Sequence, residues 1–207
     1  METETALTVG VPNVNEAPTD IALSNTWASD DSPAGSPIAF LSATDPDAGN
    51  TFTYALVAGA GGDDNAQFTI VDGNLLETTG VVNYEAKSAY TIRLQVTDQG
   101  GASYEEVATI QVANVNEAPT NVTLTPSSIA ENQPSGSTVG ALGTADPDTG
   151  DTHTYSLVAG AGSTDNAQFT IVDNQLRTAV SFNYETKSSY SIRVRSVDAG
   201  GLPVEKA

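Results

Sequence analysis

The side chains in this chain best placed to do chemistry are carboxylates. Asp45-Pro-Asp47 and Asp146-Pro-Asp148, Glu85 and Glu185, Asp98 and Asp198, and Glu16 and Glu117 recur as pairs about a hundred residues apart. They lie between short apolar runs, where loops are expected. Oxygen donors of this kind, with Asn side chains among them, suit calcium, which takes six to eight oxygens at ~2.3–2.6 Å. Two carboxylates at i and i+2 in an extended loop can turn toward one ion. Without a cation, such charges ~4 Å apart repel by roughly 4 kcal/mol at an effective dielectric of 20. Calcium is therefore the expected cofactor.

Other chemistries fit less well. A glycosidase needs an acid and a nucleophile ~5–10 Å apart in a cleft, and two near-identical copies without aromatic sugar platforms do not provide one. The Ser and Thr residues have no His or Lys at triad-like positions, so nucleophilic catalysis has no support and no enzyme is expected. The Asp-x-Asp pairs lack the Gly and distant Glu of a helix-loop-helix calcium loop. His153, the only histidine, aligns with Phe52 and reads as a strand-face substitution rather than a ligand. Trp27 aligns with Ser128 and reads as first-strand packing, with sugar stacking as the sharper alternative.

The elements that must position these carboxylates come from an internal repeat. Asn-Val-Asn-Glu-Ala-Pro-Thr occurs unchanged at 13–19 and at 114–120, and Asp64-Asn-Ala-Gln-Phe-Thr-Ile-Val-Asp72 returns at 165–173. A period of about a hundred residues is the size of one small domain. The expected organisation is a leader (1–12), a linker (13–19), a first repeat (20–113), a second linker (114–120) and a second repeat (121–207). Within the first repeat, runs around Ile21, Ile38–Leu41, Phe52–Val57, Phe68–Ile70, Leu75–Thr78, Tyr90–Val96 and Val107–Val112 alternate or are bounded by Gly, Pro, Asp and Asn. They predict seven short strands and a β-sandwich. Tyr90, Ile92, Leu94 and Val96 should share one face, and Tyr84-Glu85 should form a single turn. The second repeat follows the same order, but Ala207 aligns with Val107, so its last strand is expected to be lacking. Leu7–Val11 aligns, one position out of phase at the ends, with Thr109–Ala113 and reads as the last strand of a preceding repeat, which makes the chain a piece of something longer. That leader is a spare strand, so a strand-exchanged oligomer is an expected association.

Composition narrows the partners. Lys and Arg total 7 against 26 Asp and Glu, a net charge of −19. That sign argues against nucleic acid and anionic membranes. No apolar run approaches the ~18 residues of a membrane helix, so no membrane insertion is expected. Cysteine is absent, so no disulfide stands in for core.

Taken in series, these motifs resemble tandem cadherin repeats of the bacterial cadherin-like kind. The residues carrying the resemblance are Ile129-Ala-Glu131-Asn132, Asp146-Pro-Asp148-Thr-Gly150, Asn183-Tyr184-Glu185, Val197-Asp198-Ala-Gly200 and the linker Asn114–Pro119. The resemblance implies two tandem seven-stranded Greek-key, immunoglobulin-like β-sandwiches with calcium between successive repeats. Carried over residue by residue, it implies ligands from Asp30 or Asp31, Glu85, Asn114 and Glu117, with Asp146, Asp148 and Asp198, and the Asn116 carbonyl. Asp45, Asp47, Asp98 and Glu16, with the Asn15 carbonyl, would face a preceding repeat, and Glu131 and Glu185 a following one. Asn83, Asn114 and Ala118 depart from the family pattern, as does Asp30-Asp31 where Glu is usual, and two or three ions per junction are expected. The implied function is an extracellular, secreted or surface-bound adhesion or spacer module that contacts neighbouring repeats or its own kind. The alternative it implies is a carbohydrate-binding module that takes polysaccharide.

Overall fold

The structure is a computed structural model and describes residues 9–207. It separates into two compact units, Met1–Val115 and Asn116–Ala207. The leader strand expected at Leu7–Val11 falls partly outside the described residues, and 9–12 carry no strand.

The first unit contains β1 (Asp20–Leu23), β2 (Trp27–Ser29), β3 (Pro37–Thr44), β4 (Phe52–Leu56), β5 (Phe68–Val71), β6 (Leu75–Thr78), β7 (Ala89–Asp98) and β8 (Ser103–Ala113). They form two four-stranded sheets, ordered β1-β3-β6-β5 and β2-β8-β7-β4. The chain changes sheet at most connections, which wraps both sheets around one core. Period-two alternation sets that core. In β7, Tyr90, Ile92, Leu94 and Val96 are buried while their neighbours are only partly so. Ile110 and Val112 of β8, Ile21, Ile38, Leu41, Phe68 and Leu76 complete the packing from both sheets.

Eight strands stand where the alternation predicts seven. The extra one, β2, is three residues long, too short for a periodic signal. Asn25 creates it: its side-chain amide donates to the Trp27 and Ile38 carbonyls (2.7 and 3.1 Å) while its oxygen accepts the Trp27 N–H. The chain then crosses to the other sheet and pairs parallel to Gln111–Ala113. This overturns the packing role expected for Trp27. Ala28 is the residue of β2 that faces the core, so Trp27 points outward and is 55% exposed.

The second unit contains β9 (Asn121–Thr125), β10 (Thr138–Ala145), β11 (Thr154–Leu157), β12 (Phe169–Val172), β13 (Gln175–Thr178), β14 (Val194–Val197) and β15 (Pro203–Lys206), in sheets ordered β12-β13-β10-β9 and β11-β14-β15. The last strand is therefore present in part: β15 pairs antiparallel with β14 over four residues. The first unit's β7 is ten residues long because Val107–Gln111 also pair against Ala89–Arg93. Residues 189–193 have no such strand opposite and are not in a strand. Tyr190 and Ile192 are accordingly half-buried where Tyr90 and Ile92 are buried.

Candidate functional site

In each unit the linker preceding the sandwich is tied to acidic residues of its own repeat. In the first, the Asp47 N–H donates to Asp45 Oδ1 (2.8 Å), closing the Asp-Pro-Asp loop after β3. Asp47 in turn accepts the Glu16 N–H (2.8 Å) and the Asn13 side-chain amide (2.5 Å). Those two donors hold the Asp47 carboxyl below its ordinary pKa, the Asn13 amide contributing most. The resulting charge pushes the Glu16 carboxyl up. Asp98, at the end of β7, accepts the Asn15 side-chain amide (2.8 Å) and the Ala102 N–H (2.9 Å). Burial works to raise its pKa, but these donors and the N–H groups of Gly101 and Gly100 outweigh it, so it stays an anion.

The second unit rebuilds this arrangement. Asp148 N–H donates to Asp146 Oδ1 (3.0 Å), Glu117 N–H to Asp148 Oδ2 (2.8 Å), and the Asn116 amide to Asp198 Oδ2 (3.0 Å). Asp198, at the end of β14, also accepts the Leu202 N–H. Burial works to raise its pKa, yet Asn116, Leu202, Gly201 and the nearby His153 hold it low.

One departure separates the two copies. His153 precedes β11, and its Nε2 lies 2.6 Å from Asp146 Oδ2, with the imidazole 11% and the carboxylate 5% exposed. The expected strand-face substitution is thus corrected, because the residue falls before the strand begins and its ring turns into the acidic loop. Asp146, Asp151 and His153 place ligand atoms within 4.8 Å of one another. The sequence signal was available in the i+5 and i+7 spacing from Asp146.

At the other end of the first unit Asp30 and Asp31 have different settings. Asp30 is 6% exposed, and its Oδ1 accepts the N–H groups of Asp31 and Tyr84, both at 2.9 Å. Asp31 sits at φ 54° and is exposed. In the second unit Glu131 does the job of Asp30, accepting the Tyr184 N–H at 3.0 Å. A carboxylate oxygen of Asp30 lies within 4.8 Å of one from Glu85. The segment carrying Glu85 is the expected turn, closed by Lys87 N–H to the Asn83 carbonyl, and the Asn83 amide donates to Glu85 at 3.3 Å. Glu185 and Asn114 are exposed.

Calcium fits these donor sets. Among the described residues, Asp30 Oδ2 and Asp45 Oδ2 are buried oxygens with no hydrogen-bond partner. A buried carboxylate oxygen without a partner is costly, and a hard cation satisfies it. Asp64 and Asp165, conserved between the copies in the repeated Asp-Asn-Ala-Gln-Phe stretch, have different work: they pair with Lys87 and Lys187 and accept the Thr91 and Ser191 N–H groups.

A family model described as "Cadherin domain" matches residues 26–113 and 125–206. Human Protocadherin-16 is 30% identical over 209 residues, covering 95% of this chain and 6% of that protein. The Drosophila melanogaster protocadherin-like wing polarity protein stan is 27% identical over 182 residues, covering 83% of this chain and 5% of that one. The chain thus spans about a twentieth of the length of these relatives. The crystal structure of human Protocadherin-24 EC1-2 superposes with a TM-score of 0.69 at 21% identity, covering 93% of this chain and 96% of that one, a likeness of fold.

Proposed function

Because the chain belongs to the cadherin family and carries two cadherin domains in tandem, we propose that it is a calcium-binding extracellular adhesion or spacer module. Cadherins are adhesion proteins rather than enzymes, and no helix among the described residues is long and apolar enough to cross a membrane. The observation that carries the reading is the pair of buried, partnerless oxygens, Asp30 Oδ2 and Asp45 Oδ2. Around Asp45 the ligands are Asp47, Asp98 and Glu16, with the Asn15 carbonyl. The matching set in the second repeat is Asp146, Asp148, Asp198 and Glu117, with the Asn116 carbonyl. Asp30, Glu85 and Asn114, and in the second repeat Glu131 and Glu185, supply the remaining oxygens. Calcium held where one repeat follows the next stiffens the linker, so that the parent protein carries its adhesive surface on a rigid spacer.

The chain's own residues divide the labour. Asn13 and the Glu16 N–H keep Asp47 ionised, and Asn15 does the same for Asp98. The linker is thereby fastened to the carboxylates that take the ion. The relatives named above are animal proteins, so they support neither a bacterial source nor polysaccharide binding. The test is calorimetric titration with calcium, paired with small-angle scattering with and without chelator. Heat of binding and a longer maximum dimension in calcium are expected; no binding heat overturns the reading.

A further inference from the structure

We propose that Asp146, Asp151 and His153 form a transition-metal site, of the zinc class, that the first repeat lacks. The two repeats differ at these places in a way that changes donor chemistry. The first has Asp45, Asn50 and Phe52 where the second has Asp146, Asp151 and His153. Two substitutions thus add one carboxylate and one imidazole to the same loop. Imidazole and carboxylate together suit zinc, cobalt, nickel and copper, whereas calcium prefers oxygen alone.

The geometry supports the convergence. Ligand atoms of the three residues lie within 4.8 Å of one another. The Asp146 carboxylate and the His153 ring are 5% and 11% exposed, so both are fixed by their surroundings rather than waving in solvent. The Asp151 carboxylate is held by the Thr152 N–H and, at 3.4 Å, by the Ala199 N–H. Asp45 Oδ2, the counterpart of Asp146 Oδ2, is buried with no partner, whereas in the second repeat an imidazole nitrogen sits at that oxygen, so the two repeats differ at the very atom that would bind. A metal with ~2.0–2.2 Å bonds to nitrogen and oxygen would replace the proton now shared between His153 and Asp146. Since Asp146 also belongs to the calcium set, the two ions compete for it.

Cobalt(II) reports on the site through its visible d–d absorption. Titrating the whole chain with cobalt(II) in calcium-free buffer should give bands that zinc abolishes by displacement. His153→Phe, which installs the first repeat's residue, should remove those bands and weaken cobalt binding at least about tenfold, the loss that even outer-sphere partners produce. Cobalt bands that survive His153→Phe, or no bands in the unmodified chain, overturn the proposal. Calcium titration of His153→Phe tests the calcium reading separately, because all its oxygen donors remain.

Discussion

Asn116 donates its side-chain amide to Asp198 at 3.0 Å, across 82 residues of sequence, and so pins the linker to the end of β14. Asn15 and Asp98 repeat the contact in the first unit at 2.8 Å. Both asparagines lie against a glycine. A Cβ at Gly200 would fall 2.4 Å from the Asn116 side chain, and one at Gly100 2.3 Å from Asn15. Gly200→Ala should therefore displace Asn116 and destabilise the second repeat by ~1–3 kcal/mol, the usual range for overpacking. In an Asn116→Ala background the same substitution should cost little. Urea unfolding of the four variants gives the coupling directly, and full additivity would show that the two residues do not meet.

Calcium should stabilise the folded chain by RT ln(1 + [L]/Kd), ~2.7 kcal/mol at a hundredfold excess over Kd. Chelation should accordingly lower the melting temperature. Asp148→Ala and Glu85→Ala should each remove most of that calcium-dependent increment. Asp64→Ala should lower the baseline stability but leave the increment intact, because Asp64 is engaged by Lys87 and the Thr91 N–H. A melt indifferent to chelator would sink the calcium reading.

Acid should unfold the chain through the carboxylates whose pKa is depressed. The Lys187 hydrogen bond and the Ser191 N–H hold Asp165 below its ordinary value. At Asp64, burial pulls upward, but the Lys87 hydrogen bond, the Thr91 N–H and the Lys87 charge outweigh it. A folded pKa below the unfolded one means that the stabilisation is complete above the unfolded value, ~3.9, and is lost as pH falls through the folded one. Lys187→Met should therefore make stability less dependent on pH below about 4. Guanidinium midpoints measured between neutral and acidic pH check this; an identical slope for the variant and the parent would refute it.

Much of this was legible because it depends on repetition and period. The Asp-x-Asp loops, the alternation of Tyr90 to Val96 and the turn at Glu85 follow from residue type and spacing alone. What escaped depends on backbone direction. Asp30 and Asp31 are chemically alike, and only the positive φ of Asp31 and the Tyr84 N–H on Asp30 tell their settings apart. Ile38–Leu41 reads as one strand run, yet a register shift between Pro37 and Ala39 buries Ile38 and Ala39 together and leaves Phe40 60% exposed. Trp27 follows the same logic, since a crossing made by the Asn25 side chain decides which face it takes. His153 aligns with Phe52, but Phe52 lies inside β4 and His153 lies ahead of β11.

The second repeat carries an apolar strip that the first covers. Tyr190 and Ile192 line a pocket with Ile129, Phe169 and Phe182, whereas in the first unit Val107–Gln111 pair along Ala89–Arg93 and close the corresponding place. Tyr190→Ala should therefore cost the second repeat less than Tyr90→Ala costs the first, because Tyr90 is buried and Tyr190 only half-buried, and truncating a fully buried large aromatic costs ~3–5 kcal/mol. Urea unfolding of the two variants checks this, and a larger loss from Tyr190→Ala would refute it.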